Sequence, residues 1–456
     1  MIAPKTIDLS RPRRLHMIGI GGSGMAPFAQ LLRAEGHEVS GADARPSETV
    51  SRLRLAGIPV MTGLEADLLP SGTEAVIHTA ALPADAPPLV RARALDLPLL
   101  KYARAVGLYS RDRRTLAVAG THGKTTTTAL LAHVMRRAGC DPSFLVGGSA
   151  PQLPPPGRGS SRYLVLEACE YDRSFLHFHP EIAVVTNIEA DHLDYYRDVV
   201  EICAAFRTFA AQVSGLLVIH EGLRETIARA GGIRARVRTF GTSCDADLRV
   251  IDLGASHGVR HFTCGGRAYR LRMPGAHNVL NAAAVLAVAT ELGIDADAVT
   301  AALESFEGVG RRLQVVGSAR GVAVIDDYAH HPTEVLAGLR ALRDAYQPRR
   351  LWCVFQPHQY SRLRRFLHDF AEALSVADCV VIPGIYAARD GDEDRRAVSA
   401  GDLVREVQAF GGQAEHIPDF DSIVAFVRSQ ARAGDVVVTM GAGDVGHVAG
   451  RLAAAL

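Results

Sequence analysis

Two glycine-rich loops, each between an apolar stretch and a helix-like stretch, most strongly limit how this chain can fold. The first is the G-x-G-x-x-G run at residues 19–24, and the second is Gly-Thr-His-Gly-Lys-Thr at residues 120–125. A loop in this position aims free backbone N–H groups and the positive end of a helix dipole at an anion. The two loops predict two phosphorylated ligands, and only the second carries the lysine expected for triphosphate chemistry.

The composition is that of an ordinary globular protein. Of the 456 residues, 48% are hydrophobic and 22% are charged, and the formal net charge is +1. The net charge and composition therefore do not favour nucleic acid or a membrane surface as a partner. The sequence contains no run of eighteen apolar residues, so no membrane span is predicted. The seven cysteines form no C-x-x-C pair, which favours reduced thiols in a cytoplasmic protein.

The succession of strand-like and helix-like stretches indicates an α/β fold with three domains. Such alternation predicts parallel sheets covered by helices on both faces. We place a Rossmann-like N-terminal domain at residues 1–110, a P-loop-type ATPase domain at 111–311 and a Rossmann-like C-terminal domain at 312–456. Residues 237–271, within the central domain, alternate like an antiparallel sheet.

The second loop is a shortened relative of the P-loop, with two residues between its glycines instead of four. Its glycines let the backbone approach phosphates, its lysine neutralises β- and γ-phosphate charge, and the following hydroxyl can ligate Mg²⁺. The alternative, a glycine-rich turn that caps a helix, does not require the Lys-Thr pair. The residues predicted to bind ATP are Gly120, Thr121, His122, Gly123, Lys124, Thr125 and Thr126.

The first loop permits more than one interpretation. Asp43 lies about twenty residues beyond it at a strand end, as the NAD-binding fingerprint requires. An NAD-dependent dehydrogenase is therefore one hypothesis, and a plain strand–helix turn is another. A simple dehydrogenase, however, has no use for the second loop. The residues of the first loop considered for ligand binding are Gly19, Gly21, Gly22, Ser23 and Gly24.

Two polar clusters follow predicted strands of the central domain. Glu167 ends an apolar strand, and His192 ends the run Thr-Asn-Ile-Glu-Ala-Asp-His. Ligands of open α/β sheets bind beyond the carboxyl ends of strands, so Glu167 is a candidate metal ligand, with a solvated carboxylate as the alternative. Mg²⁺ prefers oxygen ligands, and a hydrogen bond within the loop is an equally good explanation of His192.

Further polar residues lie downstream. His277 and Asn281, four residues apart on one helix face, could read an adenine edge, although helix capping by Asn278 would explain the same stretch. Arg312 could reach a phosphoryl oxygen. The remaining candidates, in polar clusters that follow strands of the third domain, are Asp327, His358 and Arg362.

Together these motifs resemble the Mur ligase family, the ATP-dependent amino-acid ligases of peptidoglycan synthesis, over essentially the whole chain. The resemblance implies that the three domains bind, in order, UDP-N-acetylmuramate, ATP and L-alanine. The branch of the family that is most similar joins L-alanine to the lactyl carboxylate through an acyl phosphate, with release of ADP and phosphate. The runs that carry the resemblance begin at Ile18, Gly120, Thr186, His277, Asp327 and Thr439.

The resemblance also implies roles for individual residues. The first loop would bind the UDP-sugar rather than NAD. Thr125 and Glu167 would hold Mg²⁺, with Mn²⁺ as an alternative, and His192 would hold a second metal ion. His277 and Asn281 would contact adenine. The other implied roles are phosphate binding by Lys124, an approach to the nucleotide by Arg312 and Asp327, and positions near the alanine and the acyl centre for His358 and Arg362; the expected catalytic set is Lys124, Glu167, His192, Arg312, His358 and Arg362.

Three departures from the family pattern limit these expectations. Many relatives carry Glu-Ala-Asp-Glu-Ser-Asp at residues 167–172, where this chain has Cys169 and Tyr171. Many have an arginine at Gln359. Arg207 stands near the place of a carbamoylated lysine in some siblings, so no carbamate is expected.

Rival interpretations remain at this stage. The nearest is a sibling ligase that attaches a recycled murein peptide to the same UDP-sugar. Two others belong to different classes: the NAD-dependent dehydrogenase and a non-enzymatic nucleotide-binding regulator. We expect a monomer or a weak homodimer, with no nucleic-acid partner.

Overall fold

The structure is a computed structural model that describes residues 7–65, 69–227, 231–256, 259–388 and 390–456. The chain divides into two compact units. The first comprises Met1–Ala190, Asp198–Leu248 and Ala284–Ala302, and the second comprises Asp191–Arg197, Arg249–Ala283 and Leu303–Leu456.

A parallel sheet of five strands opens the first unit, in the order β3-β2-β1-β4-β5. The strand order reverses between β1 and β4, and the crevice beyond such a reversal is where open α/β sheets bind ligands. The loop at Gly19 follows β1 directly. The elements are β1 (Arg14–Ile18), α1 (Met25–Ala34), β2 (Glu38–Asp43), α2 (Glu48–Leu55), β3 (Val60–Thr62), β4 (Ala75–His78), α3 (Pro87–Ala94), β5 (Leu99–Lys101) and α4 (Tyr102–Ser110).

The same unit contains six further parallel strands in the order β11-β10-β9-β6-β8-β7. Because β6 lies between β8 and β9, the loop at Gly120 emerges between the polar segments that follow those two strands. The elements are β6 (Arg114–Ala119), α5 (Lys124–Arg137), β7 (Ser143–Leu145), β8 (Tyr163–Glu167), a 3-10 helix (Tyr171–His177), β9 (Ile182–Val185), α6 (Val199–Ala211), β10 (Leu216–His220), a second 3-10 helix (Glu221–Leu223) and β11 (Arg236–Gly241).

The antiparallel pattern expected at residues 237–271 is confirmed only in part. β11 is parallel to β10, whereas three antiparallel strands follow it: β12 (Leu248–Ser256), β13 (Val259–Cys264) and β14 (Arg267–Leu271). Alternating polarity reports that one face of a strand is buried, and it does not report the direction of the neighbouring strand.

Two helices follow these strands, α7 (Ala276–Glu291) and α8 (Ala296–Ser305). α7 is largely apolar in sequence, but it has only 16 residues. Within the described ranges, no helix has the length and apolar character needed to cross a membrane.

The second unit contains a sheet of six strands in the order β15-β16-β20-β17-β18-β19, parallel except for the edge strand β15. Its elements are β15 (Gln314–Ala319), β16 (Val322–Asp327), α9 (Pro332–Tyr346), β17 (Leu351–Phe355), α10 (Tyr360–Arg365), α11 (Leu367–Leu374), β18 (Cys379–Ile382), α12 (Asp392–Ala397), α13 (Ala400–Ala409), β19 (Ala414–His416), α14 (Phe420–Gln430), β20 (Val436–Met440) and α15 (Gly446–Ala455).

This sheet is buried on both faces, as the sequence predicted. Along β17, Leu351 and Phe355 belong to a core cluster with α9, α11 and α13. The alternate residues Trp352 and Val354 belong to a second cluster with α14 and α15. Burial on both faces explains why the strands read as continuous apolar runs rather than as alternating ones.

A buried carboxylate closes the amino-terminal end of this sheet. Asp435, whose side chain is fully buried, accepts hydrogen bonds from the Trp352 indole, the Arg350 guanidinium and the Arg432 backbone N–H at 3.0–3.1 Å. Burial alone would raise the pKa of Asp435, but these donors outweigh it and hold the pKa below its usual range. The carboxylate therefore ties β17 and β20 together.

We expect Asp435→Ala to destabilise the C-terminal sheet by about 3 kcal/mol, because it leaves buried donors without their acceptor. Trp352, the only tryptophan of the chain, reports this region in urea unfolding followed by fluorescence. Asp421→Ala is the matched control, because Asp421 pairs with Arg451 at the surface.

The depressed pKa of Asp435 also fixes the sign of the pH dependence. Its stabilisation is present above the unfolded pKa, about 4, and is lost as the pH falls through the folded value. The difference between wild type and Asp435→Ala should therefore shrink under acid conditions. An unchanged unfolding midpoint in Asp435→Ala at neutral pH would contradict this account.

Candidate active site

The loop at Gly120 takes its shape from the end of the neighbouring strand β9. Gly120 has φ +132°, and a Cβ atom there would collide with Thr186 Oγ1. The Thr186 hydroxyl donates to the His122 carbonyl at 2.6 Å, and the His122 N–H donates to Asn187 Oδ1 at 2.8 Å. The run at residues 186–192 thus begins as a scaffold for the phosphate loop.

Lys124 begins helix α5 and folds back over the loop. Its Nζ donates to the carbonyl oxygens of Gly120 and Thr121 at 2.5 and 3.0 Å. It also donates to both carboxylate oxygens of Glu170, at 2.9 and 3.1 Å. Burial alone would lower the pKa of Lys124, but the Glu170 carboxylate outweighs it and holds the pKa well above its usual value. The lysine is therefore charged.

Thr125 and Glu167 have the chemistry and the spacing for a Mg²⁺ site. The Thr125 hydroxyl donates to Glu167 Oε2 at 3.2 Å, and Glu167 Oε1 accepts from the Gly147 N–H. Adjacent oxygen ligands of an octahedral Mg²⁺ ion lie about 3 Å apart. The two side chains predicted from the sequence as metal ligands therefore fit that ion.

The threonines after Thr125 belong to the interior of α5. Thr126, Thr127 and Thr128 are all buried, and the Thr128 hydroxyl donates to the Lys124 carbonyl at 2.8 Å. The Thr128 hydroxyl is therefore bonded to the backbone of the first helical turn. The ATP contact predicted for Thr126 stays a prediction.

Asp43, on which the NAD-binding hypothesis rested, forms a hydrogen bond with the loop at Gly19. Gly19 has φ +75°, and its N–H donates to the Ala42 carbonyl at 2.8 Å. The Asp43 carboxylate accepts from the Gly21 N–H at 2.8 Å. Asp43 thus binds the loop backbone in this structure.

A cavity of about 310 Å³ is lined both by residues of this loop and by Glu167 at the end of β8. Its lining includes Gly22, Ser23 and Gly24 from the loop. Lys101, at the carboxyl end of β5, also lines it and pairs with Asp172 at 2.6 Å. The fold therefore brings the first glycine loop and Glu167 to one cavity.

Ser23 also lines a second cavity, of about 720 Å³. Helices α1 and α2 form one wall with Gln30 and Arg52, and Phe144 with the proline-rich loop at residues 146–156 forms the other. The Pro-, Gly- and Ser-rich composition of residues 151–162, which overlap this loop, predicts only a surface connection. Its prolines here line a large concave site.

In the second unit, Asp191 and Arg362 form a buried ion pair at 2.7 Å, with each side chain 7% exposed. Arg362 also approaches His358 Nδ1 at 3.3 Å, and the His358 ring stacks on Tyr386. Burial would raise the pKa of Asp191, but His192 and Arg362 beside it hold the pKa far below its usual range. The structure therefore brings His358, Arg362 and Asp191 together, and the contacts with alanine expected for His358 and Arg362 stay predictions.

His192 follows Asp191 in the same unit, with φ +53°. The ion pair of Asp191 fixes the backbone that presents this histidine. His330 lies against the group, edge to face with His358, and burial lowers its pKa to about 4. The metal contact expected for His192 stays a prediction.

His277 and Asn281, the candidates for adenine binding, lie in or beside the first turns of α7. Burial lowers the pKa of His277 to about 4, so its ring is neutral at pH 7. Asn278 donates from its side chain to the Pro274 carbonyl at 2.7 Å and lies inside α7, so it is not the helix cap considered above. Asn281 donates to Asn278 Oδ1. The adenine contacts expected for His277 and Asn281 stay predictions.

Asp327 and Arg312 lie beside the end of β16. The Asp327 carboxylate accepts from the Leu313 and Ala329 backbone N–H groups at 2.7 and 2.6 Å, and burial raises its pKa to about 6. The Arg312 guanidinium lies 5.1 Å from the Tyr328 ring centre and 3.9 Å from Glu334. The nucleotide contacts expected for both residues stay predictions.

Sequence reasoning left the role of Glu170 open and missed Lys101 and Asp191 as parts of these sites. Each follows or ends an apolar strand stretch, which is the same signal that singled out Glu167. Their partners, however, are distant in the sequence, so the pairs could be recognised only in the fold.

The three α/β sheets and the Lys124, Thr125 and Glu167 group fit the class of ATP-dependent ligases. The chain belongs to the Mur ligase family: the N-terminal catalytic domain of the family matches residues 14–114, the middle domain residues 118–289 and the glutamate ligase domain residues 311–443.

Individual relatives are similar over nearly the whole chain. A UDP-N-acetylmuramate–L-alanine ligase from Mycobacterium sp. (strain JLS) is 41% identical over 97% of this chain and 95% of its own. The enzyme of the same name from Caldanaerobacter subterraneus subsp. tengcongensis is 39% identical, with 97% of each chain covered.

Solved structures agree. The UDP-N-acetylmuramate-alanine ligase of Thermotoga maritima matches with a TM-score of 0.82 at 29% identity, covering 96% of this chain and 98% of its own. A murein peptide ligase from Psychrobacter arcticus shares the fold, with a TM-score of 0.70 at 24% identity and 97% and 98% coverage. The dehydrogenase and regulator alternatives are not favoured.

We expect Glu167→Gln to raise the Mg²⁺ concentration for half-maximal ADP release by at least about tenfold, since even outer-shell changes cost that much. Glu221→Gln is the matched control, because Glu221 follows β10 in the same sheet and accepts from Thr242 and Ser243. An unchanged Mg²⁺ requirement in Glu167→Gln would remove this carboxylate from the metal site.

Proposed function

We propose that this chain joins L-alanine to the lactyl carboxylate of UDP-N-acetylmuramate, with ATP converted to ADP and phosphate, in the synthesis of peptidoglycan precursors. The UDP-sugar, ATP and amino acid would bind to domains at residues 1–110, 111–311 and 312–456. The enzyme would act in the cytoplasm as a monomer or a weak homodimer.

One observation carries the proposal: the cavity between the Gly19 loop and Glu167. A substrate with its diphosphate on the loop would extend its far end towards the Thr125–Glu167 pair. A ligase that activates the carboxylate of a nucleotide-linked sugar requires this arrangement, whereas a dehydrogenase does not.

The two cavities that meet at Ser23 suggest how the UDP-sugar lies. A diphosphate on the glycine loop would place the nucleoside on one side and the sugar on the other. The larger cavity offers aliphatic and proline surfaces for a flat base, and Arg52 for polar contact. The smaller cavity offers Lys101, whose positive charge suits an anionic sugar substituent on its way to the reacting centre.

The first step activates the lactyl carboxylate, whose direct leaving group would be oxide. A carboxylate oxygen attacks the γ-phosphorus, the bond from that phosphorus to the ADP oxygen breaks, and an acyl phosphate forms. Lys124 offsets the repulsion between the two anions by binding phosphate oxygens. Thr125 and Glu167 would hold Mg²⁺, which supplies further positive charge when bound.

The second step forms the amide. The alanine amine attacks the acyl carbon, the tetrahedral intermediate expels phosphate, and the nitrogen loses a proton. Arg362 presents a guanidinium suited to the α-carboxylate of the amino acid, and Asp191 fixes its direction through their ion pair. We assign His358, which contacts Arg362, to the same amino-acid site.

An ADP-release assay with UDP-N-acetylmuramate and either L-alanine or a murein tripeptide tests the proposal. ADP should form with L-alanine, and Lys124→Ala should lose at least about a hundredfold in turnover because a major charge at the reacting phosphate is gone. Thermal unfolding of the variant controls for its folding. Turnover with the tripeptide instead of alanine would show that the chain is the sibling ligase that attaches a murein peptide. Near-normal turnover of Lys124→Ala would show that Lys124 does not act at the reacting phosphate.

A further inference from the structure

The ammonium group of Lys124 has all three of its donors engaged. An ammonium offers three N–H bonds, and here they meet the carbonyl oxygens of Gly120 and Thr121 and the Glu170 carboxylate. A phosphate oxygen can bond to this nitrogen only when one of these acceptors gives way. One of the three acceptors must therefore be released when phosphate binds.

Glu170 is the acceptor that can leave. The Gly120 and Thr121 carbonyls belong to a loop whose backbone is pinned to the end of β9, including a Thr121 N–H donated to the Asn187 carbonyl at 3.1 Å. Glu170 reaches Lys124 through a side chain with three rotatable bonds. It is also the acceptor that repels phosphate, since both carry negative charge in a site with little water: the Glu170 side chain is 3% exposed.

We propose that Glu170 is a place-holding anion of the nucleotide site: its carboxylate occupies the position on Lys124 that a β- or γ-phosphate takes, and the nucleotide binds by displacing it. This inference rests on the proposed function, because it assigns ATP to the Gly120 loop. Glu170 is a positioning residue here, since it acts through Lys124.

The Glu170 carboxylate stabilises the Lys124 ammonium when no nucleotide is bound. A buried ammonium without a counter-charge is costly, and Lys124 has only 14% of its side chain exposed. The Glu170 carboxylate keeps the lysine charged and directed at the loop when no phosphate is bound. The consequence is weaker nucleotide binding, because each binding event must break this ion pair.

Glu170→Gln tests the sign of that effect. The amide keeps the size of the side chain but removes the charge, so the affinity of the full chain for ADP should rise by about tenfold, within the range of a charged hydrogen bond. The affinity for AMP, which lacks the β-phosphate, should not change. Titration calorimetry without Mg²⁺ measures both nucleotides.

Two further variants separate the ion pair from general charge effects. Asp172→Asn removes a carboxylate two residues away that pairs with Lys101 rather than Lys124, so ADP affinity should stay at the wild-type value. Glu170→Asp keeps the charge on a shorter side chain and should lie between wild type and Glu170→Gln. It also carries the test if the glutamine variant fails to fold.

Weaker or unchanged ADP binding in Glu170→Gln, or a gain in Asp172→Asn as large as in Glu170→Gln, would overturn the place-holding role. Failure of the proposed function looks different. Wild type that binds no ADP, or Lys124→Ala that binds it normally, would refute the nucleotide site itself.

Discussion

The close approach of the Gly120 loop to the end of β9 is the constraint on which the site depends. A side chain at Gly120 would occupy the space of the Thr186 hydroxyl, which is needed to hold the His122 carbonyl. With that bond in place, the backbone turns into α5 with Lys124 and Thr125 at its first positions. The strand order then sets Glu167, at the end of the adjacent β8, beside Thr125.

Each glycine loop is contacted by a carboxylate from elsewhere in the chain, at a place where a phosphate ligand is expected. Asp43 accepts from the Gly21 backbone in the first loop, and Glu170 accepts from Lys124 in the second. Backbone N–H groups and ammonium groups gathered for an anion are unfavourable when they face none. In both sites, a carboxylate thus supplies the negative charge that the donors need when no anionic ligand is bound.

Much of this was readable from the sequence, because strand and helix periodicity, glycine positions and strand-end acids are local signals. Glu167 ends a strand, as predicted, and the Thr125–Glu167 pair follows from parallel-sheet geometry. The parallel direction of β11, the ion pairs of Lys124 and Asp191, and the cavity under the proline-rich loop depend on residues far apart in the chain. No local pattern encodes such partners.

Transfer of oxygen-18 tests the central claim, activation of a carboxylate on the sugar nucleotide, most directly. UDP-N-acetylmuramate labelled in both lactyl carboxylate oxygens would be turned over with ATP and L-alanine, and the released phosphate analysed by mass spectrometry. An acyl phosphate requires one labelled oxygen to leave with each phosphate. Phosphate without label, released in step with amide formation, would contradict the account.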